Sequence, residues 1–128
     1  MKKERYPWLE DIECGNETPM GWKIAFMNKL YDEIDAAIKE EKIEDFKVLQ
    51  IKEKFGSLRF YYSPYNRRID DIVKKYEEIS AKTCCGCGDS ATVVLTGWIS
   101  SWCDHCASSI RGDFVPITTF YMDVDGLD

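Results

Sequence analysis

The feature that most constrains this chain is a set of two cysteine pairs near its C-terminal end. Two residues separate Cys84 from Cys87, two separate Cys103 from Cys106, and fifteen lie between the pairs. Zinc(II) binds four thiolates tetrahedrally, and the two-residue spacing lets a tight turn direct both sulfurs of a pair at one ion. The spacing therefore predicts one structural zinc ion held by Cys84, Cys87, Cys103 and Cys106.

Three neighbouring residues leave alternatives open. His105 is the only histidine of the chain, and it could replace Cys106 as a ligand, although Cys106 has the better spacing. Cys85 lies inside the first pair and is interpreted as a spacer pointing away from the metal, with a reactive thiol as the alternative. Cys14 has no partner nearby in sequence and is interpreted as a half-buried lone cysteine.

The N-terminal sequence and the cysteines together indicate a compartment. Residues 1–5 carry positive charge but no apolar stretch follows them, so neither a signal peptide nor an anchor is expected. No run approaches the roughly 20 apolar residues of a membrane helix. We therefore expect a cytoplasmic protein without a membrane partner, whose six cysteines serve metal binding rather than disulfides.

The residues between the two pairs predict the local fold of a zinc module over residues 84–111. Residues 91–95 and 98–102 read as two strands joined by a turn, and residues 106–112 as a short helix ended by glycine. This order of knuckle, hairpin and helix resembles the treble-clef class of zinc fingers. A zinc ribbon, with both pairs on knuckles, is the alternative. The resemblance concerns shape and implies no particular function.

The first 83 residues predict an α-β-β-α body. A helix is expected over residues 19–42, with Thr18 as N-cap and Pro19 at its first position. A second helix is expected over residues 67–82, with Asn66 as its cap. The apolar stripe of the first helix falls at steps of four residues: Trp22, Phe26, Leu30, Ile34 and Ile38.

A β-hairpin is predicted between these helices, with its turn at residues 55–57. Alternation along the first strand places Leu49 and Ile51 on one face and Val48 on the other. On the second strand it places three apolar residues on one face: Leu58, Phe60 and Tyr62. The opposite, polar face would then present four residues together: Lys52, Lys54, Arg59 and Tyr61.

The fold class that follows is α+β. We expect a helix–hairpin–helix body over residues 1–83, the four-cysteine module over 84–111, and an aromatic and acidic tail over 112–128. The first half of the tail is expected to pack on the body through its apolar residues: Val115, Ile117, Phe120 and Tyr121.

Charge divides the chain into two kinds of surface. Residues 84–128 carry one arginine and six aspartates, so this region repels phosphate. Residues 46–75 carry eight basic and three acidic residues, and any nucleic-acid contact should lie there. The candidate contacts are Lys52, Lys54, Arg59, Tyr61, Arg67 and Arg68. The structural alternative places Phe55 and Leu58 in the core and pairs Glu53 with Arg59 across the strands.

Several segments resemble a group of small uncharacterised bacterial and phage proteins. The most specific is Lys52-Glu-Lys-Phe-Gly-Ser-Leu-Arg-Phe-Tyr61, which in that group precedes a paired-cysteine module. The Gly21-Trp22 and Gly97-Trp98 dipeptides belong to the same pattern. The resemblance spans most of residues 20–106 and implies no established activity.

The sequence favours a non-enzymatic role. Four thiolates leave no open position for a catalytic water on zinc, and no nucleotide-binding or hydrolase motif is found. We expect a zinc-stabilised protein-interaction or small regulatory protein, of which a phage-encoded inhibitor would be one type. Its contact surface would be the acidic module and the aromatic tail. The alternative is a nucleic-acid-binding protein acting through residues 46–75, and the oligomeric state stays open.

Overall fold

The computed structural model of the protein describes residues 6–9 and 16–120. A 3-10 turn at Pro7–Leu9 precedes a short strand β1 (Asn16–Glu17) and a helical stretch made of α1 (Met20–Trp22), a π-helical segment (Lys23–Met27) and α2 (Asn28–Glu40). The hairpin β2 (Lys47–Lys54) and β3 (Ser57–Ser63) and the helix α3 (Arg67–Ala81) follow. The cysteine region contains β4 (Val93–Leu95), β5 (Ser100–Trp102), α4 (Asp104–Ala107) and β6 (Phe114–Pro116). The predicted α+β fold is confirmed.

The first helical stretch buries the stripe that its sequence predicts. Trp22, Phe26, Leu30 and Ile34 are buried, and Ile38 packs against the same core. The predicted cap is wrong by one residue. Pro19 has the extended backbone that an N-cap needs, and no side chain caps this end of the helix. The π-helical turn was also not predicted.

The second helix begins as expected. The amide of Ile69 donates to the Asn66 side-chain oxygen at 3.0 Å, which satisfies one free N–H of the first turn. Ile69, Val73 and Tyr76 are buried against the hairpin and the first helical stretch. The core therefore lies between the two helical layers and one face of the hairpin.

The first hairpin strand corrects the predicted alternation. A bulge between Val48 and Gln50 shifts the pairing with β3. Val48 and Ile51 are consequently both buried, whereas Leu49 is 56% exposed. A bulge adds one residue to a strand, and every position before it changes face relative to those after it.

The second hairpin strand follows the predicted alternation. The turn differs from the structural alternative, which placed Phe55 in the core. Leu58 and Phe60 are buried, as predicted. Phe55 is 66% exposed, because it lies in the turn with a positive φ of 52° and not in the core. Glu53 lies opposite Leu58, and Arg59 lies opposite Lys52, so the expected Glu53–Arg59 cross-strand pair is wrong.

The cysteine region forms a three-stranded sheet in the order β5-β4-β6. In this sheet Val94 pairs with Ser101 on one side and with Val115 on the other. The first part of the expected tail therefore adds a strand to the cysteine module, and the boundary drawn at residue 111 falls inside that sheet. Residues 121–128, including Tyr121, lie outside the described residues.

Direct hydrogen bonds join the module to the body. The amide of Gly21 donates to the Cys85 carbonyl at 2.8 Å, and the Ser101 hydroxyl donates to the Ala81 carbonyl at 2.6 Å. These bonds fix the module against the start of the first helical stretch and the end of α3. In the described parts of the chain, no helix has the length and apolar character needed to cross a membrane.

Candidate metal centre

The four predicted ligands come together. The sulfur atoms of Cys84, Cys87, Cys103 and Cys106 all lie within 4.8 Å of one another. The Cys87 and Cys103 sulfurs are 3.7 Å apart. Four sulfurs at zinc–thiolate bond lengths around one tetrahedral ion would be spaced by about 3.8 Å. The cluster thus has the size and the donor set of a four-cysteine zinc site.

The first pair lies on a tight turn that glycine makes possible. The amide of Gly86 points at the Cys84 sulfur at 3.4 Å, and the amide of Gly88 donates to the Cys84 carbonyl at 3.1 Å. A β-carbon at position 86 would lie 3.0 Å from the Cys106 sulfur. Gly88 has a φ of +87°, which side-chain-bearing residues rarely adopt. The turn therefore brings the backbone close to the sulfurs.

The second pair is positioned by the start of α4, which spans Asp104–Ala107 and not the predicted residues 106–112. Cys103 has extended backbone and is the N-cap, and its sulfur accepts from the Cys106 amide at 3.4 Å. Backbone amides that point at thiolates stabilise their charge and orient them toward a metal. Because the helix begins between the two cysteines, their sulfurs face the same point as the first pair.

The thiols of the cluster do not ionise alike. Burial opposes ionisation of Cys84, but hydrogen bonds from the backbone of Cys87, Cys103 and Gly86 outweigh it and lower its pKa to about 7. Contacts with the Cys103 and Cys84 side chains raise the pKa of Cys106 to about 12. Thiols bind metal ions as thiolates, so a dication at the centre of the cluster would favour the ionised form of its ligands.

Three residues with alternative roles in the sequence lie near the predicted ligands in the chain or pair with none of them: His105, Cys85 and Cys14. His105 is exposed and does not belong to the sulfur cluster, so the structure does not bring it to the site. Cys85 is buried, and burial raises its pKa to about 11, which is the behaviour of an inert thiol. Cys14 lies outside the described residues.

The structure separates the predicted phosphate contacts into two groups. On the hairpin, Lys52 lies directly opposite Arg59, and Lys54 and Tyr61 occupy the same outer face by alternation. These three cations form no ion pair with the acidic side chains that the structure describes, and Glu17 of β1 is the register neighbour of Lys52. The second group, Arg67 and Arg68, begins α3 beyond the far end of β3, about 20 Å along the strand from the turn.

The second group is also engaged by acids. Arg68 forms an ion pair with Glu40 at 2.6 Å, and Arg67 lies 4.0 Å from Asp71. The hairpin group, with Lys52, Lys54 and Arg59, is therefore the stronger candidate for an anion contact, and Arg67 and Arg68 stay a prediction.

A groove that the sequence did not predict lies where the hairpin turn meets the module. It has a volume of about 330 Å³ and is lined by residues 53–55 of the hairpin and 96–99 of the module. Phe55 and Trp98 are 66% and 71% exposed there. A neighbouring cavity of about 280 Å³ shares Glu53 and Trp98 and reaches Cys85. The available sequence signal was an aromatic residue next to a glycine in each of the two turns, Phe55-Gly56 and Gly97-Trp98.

Comparisons with known proteins add one match. The chain is 31% identical over 117 residues to a serine hydroxymethyltransferase of Mycoplasmopsis agalactiae, covering 89% of this chain and 24% of that protein. The chain thus spans about a quarter of the length of the curated relative it matches. No family model matches the chain. No solved structure matches it.

Proposed function

We propose that this chain is a non-enzymatic protein, stabilised by one zinc ion, that acts by contacting another protein. The observation that carries the proposal is the four-cysteine cluster within 4.8 Å. Catalytic zinc keeps a position open for water or substrate, whereas four thiolates fill a tetrahedral shell. The role of zinc is then to hold the module, as in other small domains whose core is limited.

The arrangement of the module supports a treble-clef shape. Cys103 caps α4 directly after the β4–β5 hairpin, so the second pair is at a helix start and not on a second knuckle. Modules of this shape have many different functions, so the kind of partner depends on the residues exposed on the surface of the molecule.

An apolar surface beside the first cysteine pair supports a protein partner. Met20 and Ile24 are 62% and 65% exposed and lie one helical turn apart. They neighbour the knuckle, because Gly88 packs against Gly21 and Ala25. Asp89, which follows Gly88 in the chain, is exposed, so the knuckle beside the apolar pair carries an acid. Exposed apolar side chains with polar neighbours are a common feature of protein contact sites.

The test is affinity capture from nuclease-treated bacterial lysate with the wild type and a Met20→Glu/Ile24→Glu variant. The control is Lys29→Glu, which makes the same change in net charge at an exposed position of the same helical stretch. We expect a defined protein that the wild type and the control retain and the double variant loses. Identical capture by all three proteins, with equal zinc content and melting temperature, would overturn the proposal.

Nucleic-acid binding is the second candidate, and the Lys52–Arg59 pair favours it. Two cations lie directly opposite each other, an arrangement that a nearby anion stabilises. Glu17 of β1, the other register neighbour of Lys52, offsets one of the two charges. The test replaces Lys52, Lys54 and Arg59 with alanine and measures binding of oligonucleotides against salt. The control removes three cations of α3 that already have acidic partners: Arg68, Lys74 and Lys75. Equal affinity for wild type and hairpin variant would remove this candidate.

The serine hydroxymethyltransferase match contributes no activity to this proposal. It covers about a quarter of that protein. The name of that enzyme gives no reason for a four-cysteine cluster.

A further inference from the structure

We propose that the groove between the hairpin turn and the zinc module binds a base of a single-stranded nucleic acid, which stacks on Phe55 and Trp98. The phosphates that follow this base would lie along the hairpin cations. The inference rests on the second candidate function, nucleic-acid binding. The ligand class is a single strand, and the cysteine module supplies one wall of the binding groove.

The groove has the dimensions and walls of a small-ligand site. Its volume of about 330 Å³ lies at the lower end of the range for such sites. Phe55 comes from the hairpin and Trp98 from the turn between β4 and β5, so the two rings line the groove from separate elements. Both side chains are more than half exposed, so a ligand can reach both rings. Bases stack readily on exposed aromatic side chains, with little dependence on sequence.

Close backbone packing fixes the distance between the two turns. Gly56 has a φ of +85°, and a β-carbon there would lie 3.2 Å from the Ile99 side chain. The Glu53 carboxylate accepts from the Gly56 amide at 2.8 Å and so holds the hairpin turn in shape. The groove is therefore formed by ordered backbone rather than by two independent loops.

A row of cations leads away from the groove. Lys54 lines it, with its ammonium 5.6 Å from the centre of the Phe55 ring. Lys52 is two residues, or about 7 Å, further along the same face of the strand, and Arg59 lies opposite it. Tyr61, 45% exposed, continues the row and offers a further stacking surface. Aromatic side chains followed by cations along one face of the hairpin match a chain of bases and phosphates.

Three acids near this surface limit its positive charge. Glu17 of β1 is the register neighbour of Lys52 on the side opposite Arg59. Glu53 lines the groove but is engaged with the turn, and Glu77 of α3 interacts electrostatically with Arg59. Neither Glu53 nor Glu77 is within ion-pair distance of the hairpin cations in the described residues. Single strands are favoured over duplexes, because a duplex keeps its bases stacked inside and would offer only phosphates to the cations.

The experiment measures binding of a fluorescent single strand of about ten nucleotides, and of a duplex of the same sequence, to the zinc-loaded protein. The key variant is Phe55→Ala/Trp98→Ala, which leaves the charge unchanged. Tyr65→Ala is the matched control, because Tyr65 is equally exposed at 69% but lies beyond the other end of the hairpin. We expect the double variant to lose roughly tenfold or more in single-strand affinity, while its salt dependence and duplex affinity match the wild type.

The outcomes separate this inference from the function on which it rests. If the double variant binds single strands as well as the wild type, the groove is not the site, although loss of binding in the Lys52, Lys54 and Arg59 variant would keep the second candidate. Absence of oligonucleotide binding by the wild type overturns both. Tighter binding of an acidic, tryptophan-containing peptide, lost in the double variant, would assign the groove to a protein ligand and overturn the inference.

Discussion

The backbone of Gly21 contacts the backbone of Cys85 directly, through a hydrogen bond of 2.8 Å from the Gly21 amide to the Cys85 carbonyl. A β-carbon on Gly21 would lie 2.0 Å from the Cys84 carbonyl oxygen and 2.8 Å from the Cys85 carbonyl. Glycine is therefore required here for packing, and the first helical stretch positions the first ligand pair of the metal centre.

Replacement of Gly21 with alanine should separate the body from the module. We expect the added methyl group to force a backbone shift and to lower the free energy of unfolding by about 1–3 kcal/mol. Thermal unfolding monitored by circular dichroism measures the loss. The control is Gly97→Ala, because a β-carbon at position 97 meets nothing within 4 Å. Equal melting temperatures for the two variants would contradict a required close approach at Gly21.

Ligand replacement should distinguish the zinc cysteines from Cys85. We expect one zinc ion per wild-type chain, and loss of zinc in Cys87→Ser, because three thiolates hold the ion more weakly than four. Cys85→Ser should keep the full zinc content, since Cys85 is not part of the sulfur cluster. Native mass spectrometry measures both. Retention by Cys87→Ser together with loss by Cys85→Ser would show that the ligand set is different.

Metal removal should unfold the cysteine module before the body. The four sulfurs come from two segments that zinc would join, whereas the body has its own apolar core. Hydrogen exchange in the presence of a chelator should show early loss of protection over residues 84–111. A purified protein without metal, whose thermal unfolding EDTA leaves unchanged, would exclude a structural zinc ion.

The cysteine cluster and the two long helical stretches were predictable because their signals are local. A spacing of two residues keeps the Cys84 and Cys87 side chains close to each other, independently of the tertiary fold. The stripe from Trp22 to Ile34 likewise needs only the helical period. The face of Leu49 could not be predicted, because a bulge depends on pairing with the partner strand and reverses the alternation.

The groove could not be predicted from local patterns either. Its two walls, at Phe55 and Trp98, are more than forty residues apart in the chain. Only the docking of the module on the body brings them together. The partners of Arg67 and Arg68 depend in the same way on tertiary contacts, since Glu40 belongs to a different helix.

A buried hydroxyl links the hairpin to α3 and gives a further stability test. Ser80 is fully buried, accepts from the Leu58 amide at 2.8 Å, and donates to the Glu77 carbonyl at 2.6 Å. Ser80→Ala should cost about 1–3 kcal/mol, because it leaves the buried Leu58 amide without its acceptor. Urea unfolding measures the change. Ser108→Ala, at an exposed hydroxyl that donates to a local carbonyl, is the control; a loss of equal size there would contradict this explanation.

Glu33 should contribute stability that depends on pH. Burial acts to raise its pKa, but hydrogen bonds from Lys75, at 2.6 Å and 2.8 Å, and from the Tyr76 hydroxyl outweigh it, so the pKa is lowered. Since the folded-state pKa lies below the unfolded value of about 4.3, the contribution is present above that value. It is lost as the pH falls through the folded-state pKa. Glu33→Gln should therefore destabilise the protein near pH 7 by less than about 1 kcal/mol, because the ion pair is partly exposed.

The difference in unfolding free energy between wild type and Glu33→Gln, measured in urea at a series of pH values, tests this sign. Any loss of metal from the cysteine cluster on acidification would affect both proteins alike, so the difference isolates the carboxylate. We expect it to shrink below about pH 4, and to be absent throughout for Glu44→Gln, an exposed carboxylate without an ion pair in the described residues. A difference that grows on acidification would mean that Glu33 is stabilised in its protonated form. The contacts with Lys75 and Tyr76 would then not hold its charge.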